Sequence, residues 1–168
     1  MEHVVIRKFE HLAGSVFAPR LGFGIEIRDR PGPIFKNGAY EDDEIWIQLH
    51  GGLYVAKAKI RLAWLGEYSG IGEIRARTKG APIYEMASFW AGRPKWGYAA
   101  VAALKQETWI TPFWAGPRTY GYEWVRLEDE KKRASWLGKK DAPRGQGGDL
   151  RPKFERWMKA KEADSGRR

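Results

Sequence analysis

The chain has 168 residues, 43% of them hydrophobic, which is enough for one domain with its own core and an appendage. It contains no cysteine, so disulfides, thiolate catalysis and cysteine-based metal sites are excluded. The formal net charge is +9, which favours acidic partners. The three histidines do not have the spacing of metal ligands, so neither a metal nor another cofactor is expected.

The positive charge is concentrated towards the C-terminal end. Residues 1–130 hold 17 basic and 16 acidic side chains, a balance of +1, whereas residues 131–168 hold 13 and 5, a balance of +8. A cationic tail attaches to polyanions through counterion release, or it simply keeps the protein in solution. No stretch approaches the roughly 18 apolar residues of a membrane span, so a soluble, cytoplasmic protein without a membrane partner is expected.

The first half of the chain is predicted to form strands separated by turns. Strands are predicted over residues 3–8, 23–28 and 45–49. Residues 29–38 are predicted to be a turn-rich loop. After the hairpin signal at residues 50–52, alternation from Tyr54 to Trp64 predicts a long strand with one apolar face. Its other face carries a row of cations that is either solvated or the wall of a groove: Lys57, Lys59 and Arg61.

The predicted strand over residues 23–28 carries the best candidate for a functional charged pair. Glu26 and Arg28 leave the same face of this strand, opposite Ile25 and Ile27. The arginine could lower the pKa of the carboxyl or contact a phosphate, while Glu26 accepts hydrogen bonds from a base edge. The alternative is an ordinary surface pair of small stabilising value.

The second half of the chain alternates between predicted strands and short helices. Strands are predicted near residues 71–75, over 108–111 and over 122–128, helices over 81–89 and 128–137, and a strand or a helix over 97–104. Residues 139–149 have the Gly, Pro and charge composition of a linker. We therefore expect a folded domain over residues 1–137 and a basic, flexible tail over residues 138–168.

Two segments nearly repeat one another. Residues 89–98 read FWAGRPKWGY and residues 113–122 read FWAGPRTYGY, which predicts two related loop-to-strand corners in one domain. Aromatic rings mixed with cations can stack on bases and neutralise phosphates, although each ring could instead fill the core. The predicted nucleic-acid-binding residues are Trp90, Arg93, Lys95, Trp96, Trp114, Arg118 and Tyr120, with the cationic row of the long strand.

This order of elements resembles the PUA-like β-barrel superfamily, in particular its ASCH and EVE members. The ASCH pattern Gly-x-Lys-x-x-Glu-x-Arg falls on residues 21–28, where Glu26 and Arg28 match, while Leu21 and Phe23 replace the glycine and the lysine. The resemblance implies an α+β, mainly β fold, a barrel of about five to seven strands with short helices. It also implies modified bases held in aromatic pockets, as in EVE and YTH domains, or nuclease activity, as in some ASCH proteins.

The sequence thus predicts nucleic-acid binding, to RNA in preference to DNA, with selection of a modified or flipped-out base. One alternative is a ribonuclease that uses Glu26 and Arg28, with Lys57 or Lys59 in place of the missing lysine. Another is a module that binds a small ligand, such as a sugar, on its aromatic platform.

Overall fold

The structure, a computed structural model, describes residues 1–12, 19, 21–78, 87–115, 123–140 and 150–165. Its strands are β1 (Glu2–Arg7), β2 (Phe23–Arg28), β3 (Glu44–Leu49), β4 (Leu53–Tyr68), β5 (Gly97–Ala115), β6 (Trp124–Leu127) and β7 (Lys139–Lys140). Its helices are a 3₁₀ turn (Phe9–His11), α1 (Pro33–Asn37), α2 (Ile71–Arg77), α3 (Ala87–Trp90), α4 (Glu130–Leu137) and α5 (Arg151–Ser165).

The strands form one curled sheet in the order β2-β5-β4-β3-β1-β6, with β7 paired to the far end of β5. β1 and β3 are parallel, and the other pairs in the described ranges are antiparallel. The curl brings the two outer strands, β2 and β6, into contact with each other. The result is a half-barrel with short helices, the α+β, mainly β fold that the sequence predicts.

The two faces of the sheet bury different sets of side chains. Gly24 faces the interior, because a Cβ atom at this position would lie 3.5 Å from Cγ2 of Val5 and 4.0 Å from Cζ3 of Trp124. The interior is filled mainly by aliphatic side chains, among them Val5, Ile45, Ile47, Leu49, Ala100 and Ala102. Outside the sheet, Ile25 and Ile27 pack against α2 and α3.

A β-bulge corrects the predicted faces of the long strand. Ile60 pairs with Leu104 but Leu62 pairs with Ala103, so Arg61 is an extra residue in β4. Because one inserted residue reverses the faces of everything that follows, Leu62 points outward and is 69% exposed. The prediction that a single apolar face runs from Tyr54 to Trp64 was therefore wrong after the bulge. It was also wrong at Tyr54, which packs with Trp46 and Phe113 and not with the interior residues of β4.

Three further predictions change in the structure. Residues 71–75, predicted as a strand, belong to α2, since Ile71 and Ile74 are spaced for one face of a helix. Residues 97–104 and 108–111 belong to the single strand β5. The loop predicted over 29–38 contains α1, which begins at a proline.

The C-terminal helix α5 packs onto the half-barrel. Phe154 is 3% exposed, and its ring centroid lies 5.6 Å from that of Trp109 on β5. Trp157 contacts both rings, with centroids 5.9 and 5.7 Å away. A domain boundary near residue 138 stays a prediction, although α5 shares its apolar contacts with residues 1–137. Over the described ranges, no helix is long and apolar enough to cross a membrane.

Candidate functional site

The two near-repeats have different structures where they are described. In the first, Phe89 and Trp90 end helix α3, whereas in the second, Phe113 and Trp114 lie within strand β5. The prediction of two related loop-to-strand corners is wrong for these residues. Trp90 is 6% exposed and packs outside the sheet, while Trp114 is 3% exposed and belongs to the interior cluster. The two rings therefore do not share a surface.

Trp96 is the exposed ring of the first repeat. It is 70% exposed, and its neighbour Lys95 is also exposed. Gly97, which follows, has φ +149°, and a Cβ atom here would lie 2.2 Å from the carbonyl oxygen of Arg28, so only glycine allows this close approach. The backbone at Trp96 is thereby held against the end of β2. Arg118 and Tyr120, from the second repeat, lie outside the described residues.

Arg93 forms a clamp between α3 and the start of β6. Its two terminal nitrogens each donate to a carboxylate oxygen of Glu123 at 3.0 Å. Its Nε donates to the carbonyl of Phe89 at 3.0 Å, and the guanidinium lies 4.3 Å from the centre of the same ring. With its donors used in this way, Arg93 supports the site structurally and is poorly placed to bind a phosphate.

The cationic row on β4 is not part of this region. Lys57 pairs with Glu44 at 3.4 Å and lies 5.5 Å from the ring centre of Trp46. Lys59 is half-buried, and Arg61 is exposed at the bulge. The alternative in which Lys57 or Lys59 takes the place of the missing lysine therefore has no support in these contacts.

Glu26 lies inside the half-barrel, at the seam, which is the line along which the unpaired edges of β2 and β6 meet. Side chains two residues apart on a strand share a face, so Glu26 and Arg28 point inward as Gly24 does. Glu26 is 1% exposed, and its Oε1 accepts from Nη1 of Arg28 at 3.3 Å. Its Oε2 is buried and has no hydrogen-bond partner among the residues that the structure describes. The alternative of an ordinary surface pair is therefore wrong.

The surroundings of Glu26 favour its protonated form. Burial raises the pKa of Glu26 to about 7, the positive charge and hydrogen bond of Arg28 oppose this rise, and the negative charge of Glu123 adds to it. Near neutral pH the carboxyl group is thus divided between its two protonation states. Groups poised in this way are concentrated at functional sites.

The sequence did not indicate the polar groups of the other strands that face the interior. His3 on β1 is fully buried, and its Nε2 lies 2.9 Å from Oδ2 of Asp43. The His3 ring meets the buried Trp124 ring edge to face at 5.9 Å, and neither His3 Nδ1 nor Trp124 Nε1 has a partner in the described ranges. These contacts join residues far apart in the chain, so spacing carried no signal for them. The described residues contain no group of three or more metal-binding side chains.

No protein-family profile matches the chain, and no curated protein sequence does. The solved structures that are similar to the chain include two point variants of the ASCH protein from Zymomonas mobilis. One has a TM-score of 0.50 at 13% identity, over 82% of this chain and 94% of that chain. The other has a TM-score of 0.51 at 13% identity, over 82% and 96%. The chain has an ASCH-like fold. In this PUA-like fold the pair Glu26 and Arg28 lies on β2, with Leu21 and Phe23 where the ASCH pattern has glycine and lysine.

Proposed function

We propose that this protein binds nucleic acid, RNA in preference to DNA, and that an unpaired or modified base reaches the seam between β2 and β6. The observation that carries the proposal is the buried pair Glu26 and Arg28, in which one carboxyl oxygen has no partner among the described residues. A buried polar atom without a partner is costly, so its presence suggests that a ligand supplies the missing hydrogen bond. The PUA-like fold, which is associated with RNA binding, supports the same reading.

The rim of the seam has the residue types that hold a single strand. Trp96 offers an exposed ring beside the end of β2, and Lys95 next to it offers an exposed cation. An aromatic ring stacks on any base, and a neighbouring cation attracts the phosphates that link the bases. A strand lying on Trp96 would pass close to Arg28, because the next residue, Gly97, packs against the Arg28 backbone.

Replacing Trp96 tests this assignment. Trp96→Ala should weaken binding to short single-stranded RNA by about 1–3 kcal/mol, because a stacking platform is lost. The melting temperature should stay within a few degrees, since the ring is 70% exposed. Tyr40→Ala is the control for loss of an exposed aromatic ring, because Tyr40 is 63% exposed. Equal losses in both variants, or none in Trp96→Ala, would remove this residue from the site.

A ribonuclease is the second candidate, and the pKa of Glu26 favours it. A general base works best when its pKa lies near the working pH, and burial raises the pKa of Glu26 to about 7. Against this, the charged groups that act on Glu26 are Arg28 and Glu123, and Glu123 is held by Arg93. We therefore expect binding without cleavage. Turnover of labelled RNA by the parent protein, lost in Glu26→Gln, would make the enzyme the better account.

A further inference from the structure

The unpartnered oxygen of Glu26 indicates what kind of group the seam accepts. Arg28 donates to Oε1, so a proton on this carboxyl would sit on Oε2. In the protonated form Oε2 is a donor that needs an acceptor, and in the ionised form it is an acceptor that needs a donor. A ligand that completes the site must therefore match one of these two states.

The part of the interior near Glu26 is largely apolar. On one side is Ala100, the cross-strand partner of Glu26, and across the seam the interior is lined by Val5 and Trp124. Such walls penalise a charged ligand more than a neutral polar one. They penalise the ionised carboxyl for the same reason, which is why burial raises the pKa of Glu26.

The charged groups on the surrounding elements make contacts of their own, apart from the Nε atom of Arg126, which is buried and has no hydrogen-bond partner among the described residues. From β6, Glu123 is paired with Arg93 of the clamp, and Arg126 donates to the carbonyl of Gly38 at 3.3 Å. From β1, Arg7 donates to the carbonyl of Phe23 at 2.8 Å, and burial lowers the pKa of His3, which keeps that ring neutral near pH 7. Arg28 is therefore the cation that touches Glu26, and it contacts the opposite oxygen from the one that faces the ligand.

We propose that the group entering the seam is uncharged and offers a hydrogen-bond acceptor to Oε2 of Glu26, which carries the proton, while Arg28 keeps its bond to Oε1. This inference rests on the proposed function and specifies the ligand chemistry at the same site. A carbonyl oxygen or an unprotonated ring nitrogen of a base has this character. A phosphate and a protonated amine do not.

The protonation state gives the inference a measurable consequence. Only the protonated carboxyl donates, so the affinity should follow its population and fall as the pH rises through the pKa of Glu26 at about 7. For one linked proton, binding at about pH 8 should be about tenfold weaker than at about pH 6. Glu26→Gln should abolish this dependence, because the amide nitrogen donates at every pH while the amide oxygen still accepts from Arg28.

The experiment measures the affinity of short single-stranded homopolymers of U, C and A for the parent and Glu26→Gln proteins across this pH range. Glu67→Gln is the control for loss of a negative charge at the same end of the sheet, since Glu67 accepts from the hydroxyl of Tyr98, the cross-strand partner of Arg28. We expect Glu67→Gln to show the parent's pH dependence. We expect Glu26→Gln to bind at high pH as tightly as the parent binds at low pH.

Several results would overturn the inference. One is tighter binding of the parent at high pH, and another is loss of binding in Glu26→Gln at every pH, since both mean that the ionised carboxyl accepts from the ligand. If an oligomer without bases bound with unchanged affinity, the sugar-phosphate backbone and not a base would occupy the seam. The pH dependence of the parent protein's affinity tests the inference even if Glu26→Gln does not fold. Failure of every oligomer to bind would instead overturn the proposed function, and this inference with it.

Discussion

Glu26 places an ionisable group inside a largely apolar half-barrel, and burial there stabilises its protonated form relative to its ionised form. The free energy of unfolding is linked to this preference, because the folded protein holds the proton more tightly than the unfolded chain. The pKa of Glu26 rises to about 7 in the fold from an ordinary value of 4.5. Its contribution is therefore fully present below about pH 4.5 and is lost as the pH rises through about 7.

Replacing Glu26 by glutamine should remove the loss of stability that occurs as the pH rises. At about pH 8 we expect Glu26→Gln to be more stable than the parent protein by up to about 3 kcal/mol, and near pH 4.5 we expect little difference. Urea unfolding of both proteins across this range measures the change, and the difference between the two curves isolates Glu26 from other titrating groups. Parallel curves would show that the carboxyl is better solvated than its position at the seam indicates.

Trp124 illustrates a ring whose role could be predicted from its strand. The alternation of residues 122–128 puts Trp124 on the face opposite Val125 and Leu127, and in the structure Trp124 is fully buried beside His3 and Gly24. Trp124→Ala should lower the free energy of unfolding by about 3–5 kcal/mol, as core aromatic truncations do. Thermal melting checks this, with the exposed Trp96→Ala as its control. Similar melting temperatures for the two variants would contradict the placement of Trp124.

Among the elements, β4 shows how one inserted residue redirects a strand. The sequence alternates without interruption past Arg61, so the pattern alone places Leu62 in the core. The bulge is set by pairing with β5, which is remote in sequence, and it turns Leu62 to solvent. Local alternation was sufficient for β2, which has the predicted bounds, but not for a strand whose faces depend on its partner.

The bulge makes a prediction about two neighbouring aliphatic residues. Leu62→Lys should change the free energy of unfolding by no more than about 0.5 kcal/mol, because the side chain is already in water. Ile60→Ala, two positions earlier and fully buried, should destabilise the protein by about 2–5 kcal/mol. Chemical unfolding of the two variants compares them. A strongly destabilised Leu62→Lys would mean that β4 continues without a bulge.

The candidate site could be predicted from the sequence only in part. The short spacing of Glu26 and Arg28 on one strand was visible, and their shared face followed from it. Their burial was not visible, because it depends on the contact of β2 with β6 across the seam. The clamp between Arg93 and Glu123 joins residues far apart in the chain, and composition made Arg93 look like a phosphate contact.

At the scale of the whole molecule, helix α5 combines a packed apolar face with exposed positive charges. The helix anchors itself through Phe154 and Trp157, while Arg156 and Lys159 are exposed. Removal of the entire segment would uncover Trp109 and so alter stability together with charge. Surface substitutions separate the two effects.

The double variant Arg156→Ser, Lys159→Ser tests whether α5 contributes to RNA binding through its charge. If both cations contact phosphates, the slope of log affinity against log salt should fall by about 1–1.5. The melting temperature should not change, since neither residue is buried. An unchanged slope would place the electrostatic attraction elsewhere on the surface.

An NMR titration of isotope-labelled protein with single-stranded RNA tests whether RNA enters at the seam. If it does, the indole N–H of Trp96 and the backbone amides of residues 24–28 shift together and saturate at the same RNA concentration. The amides flanking Lys57 and Lys59 then change little, because those side chains are on the outer face of β4. Shifts confined to β4 or α5, with Trp96 and β2 unaffected, would contradict entry at the seam.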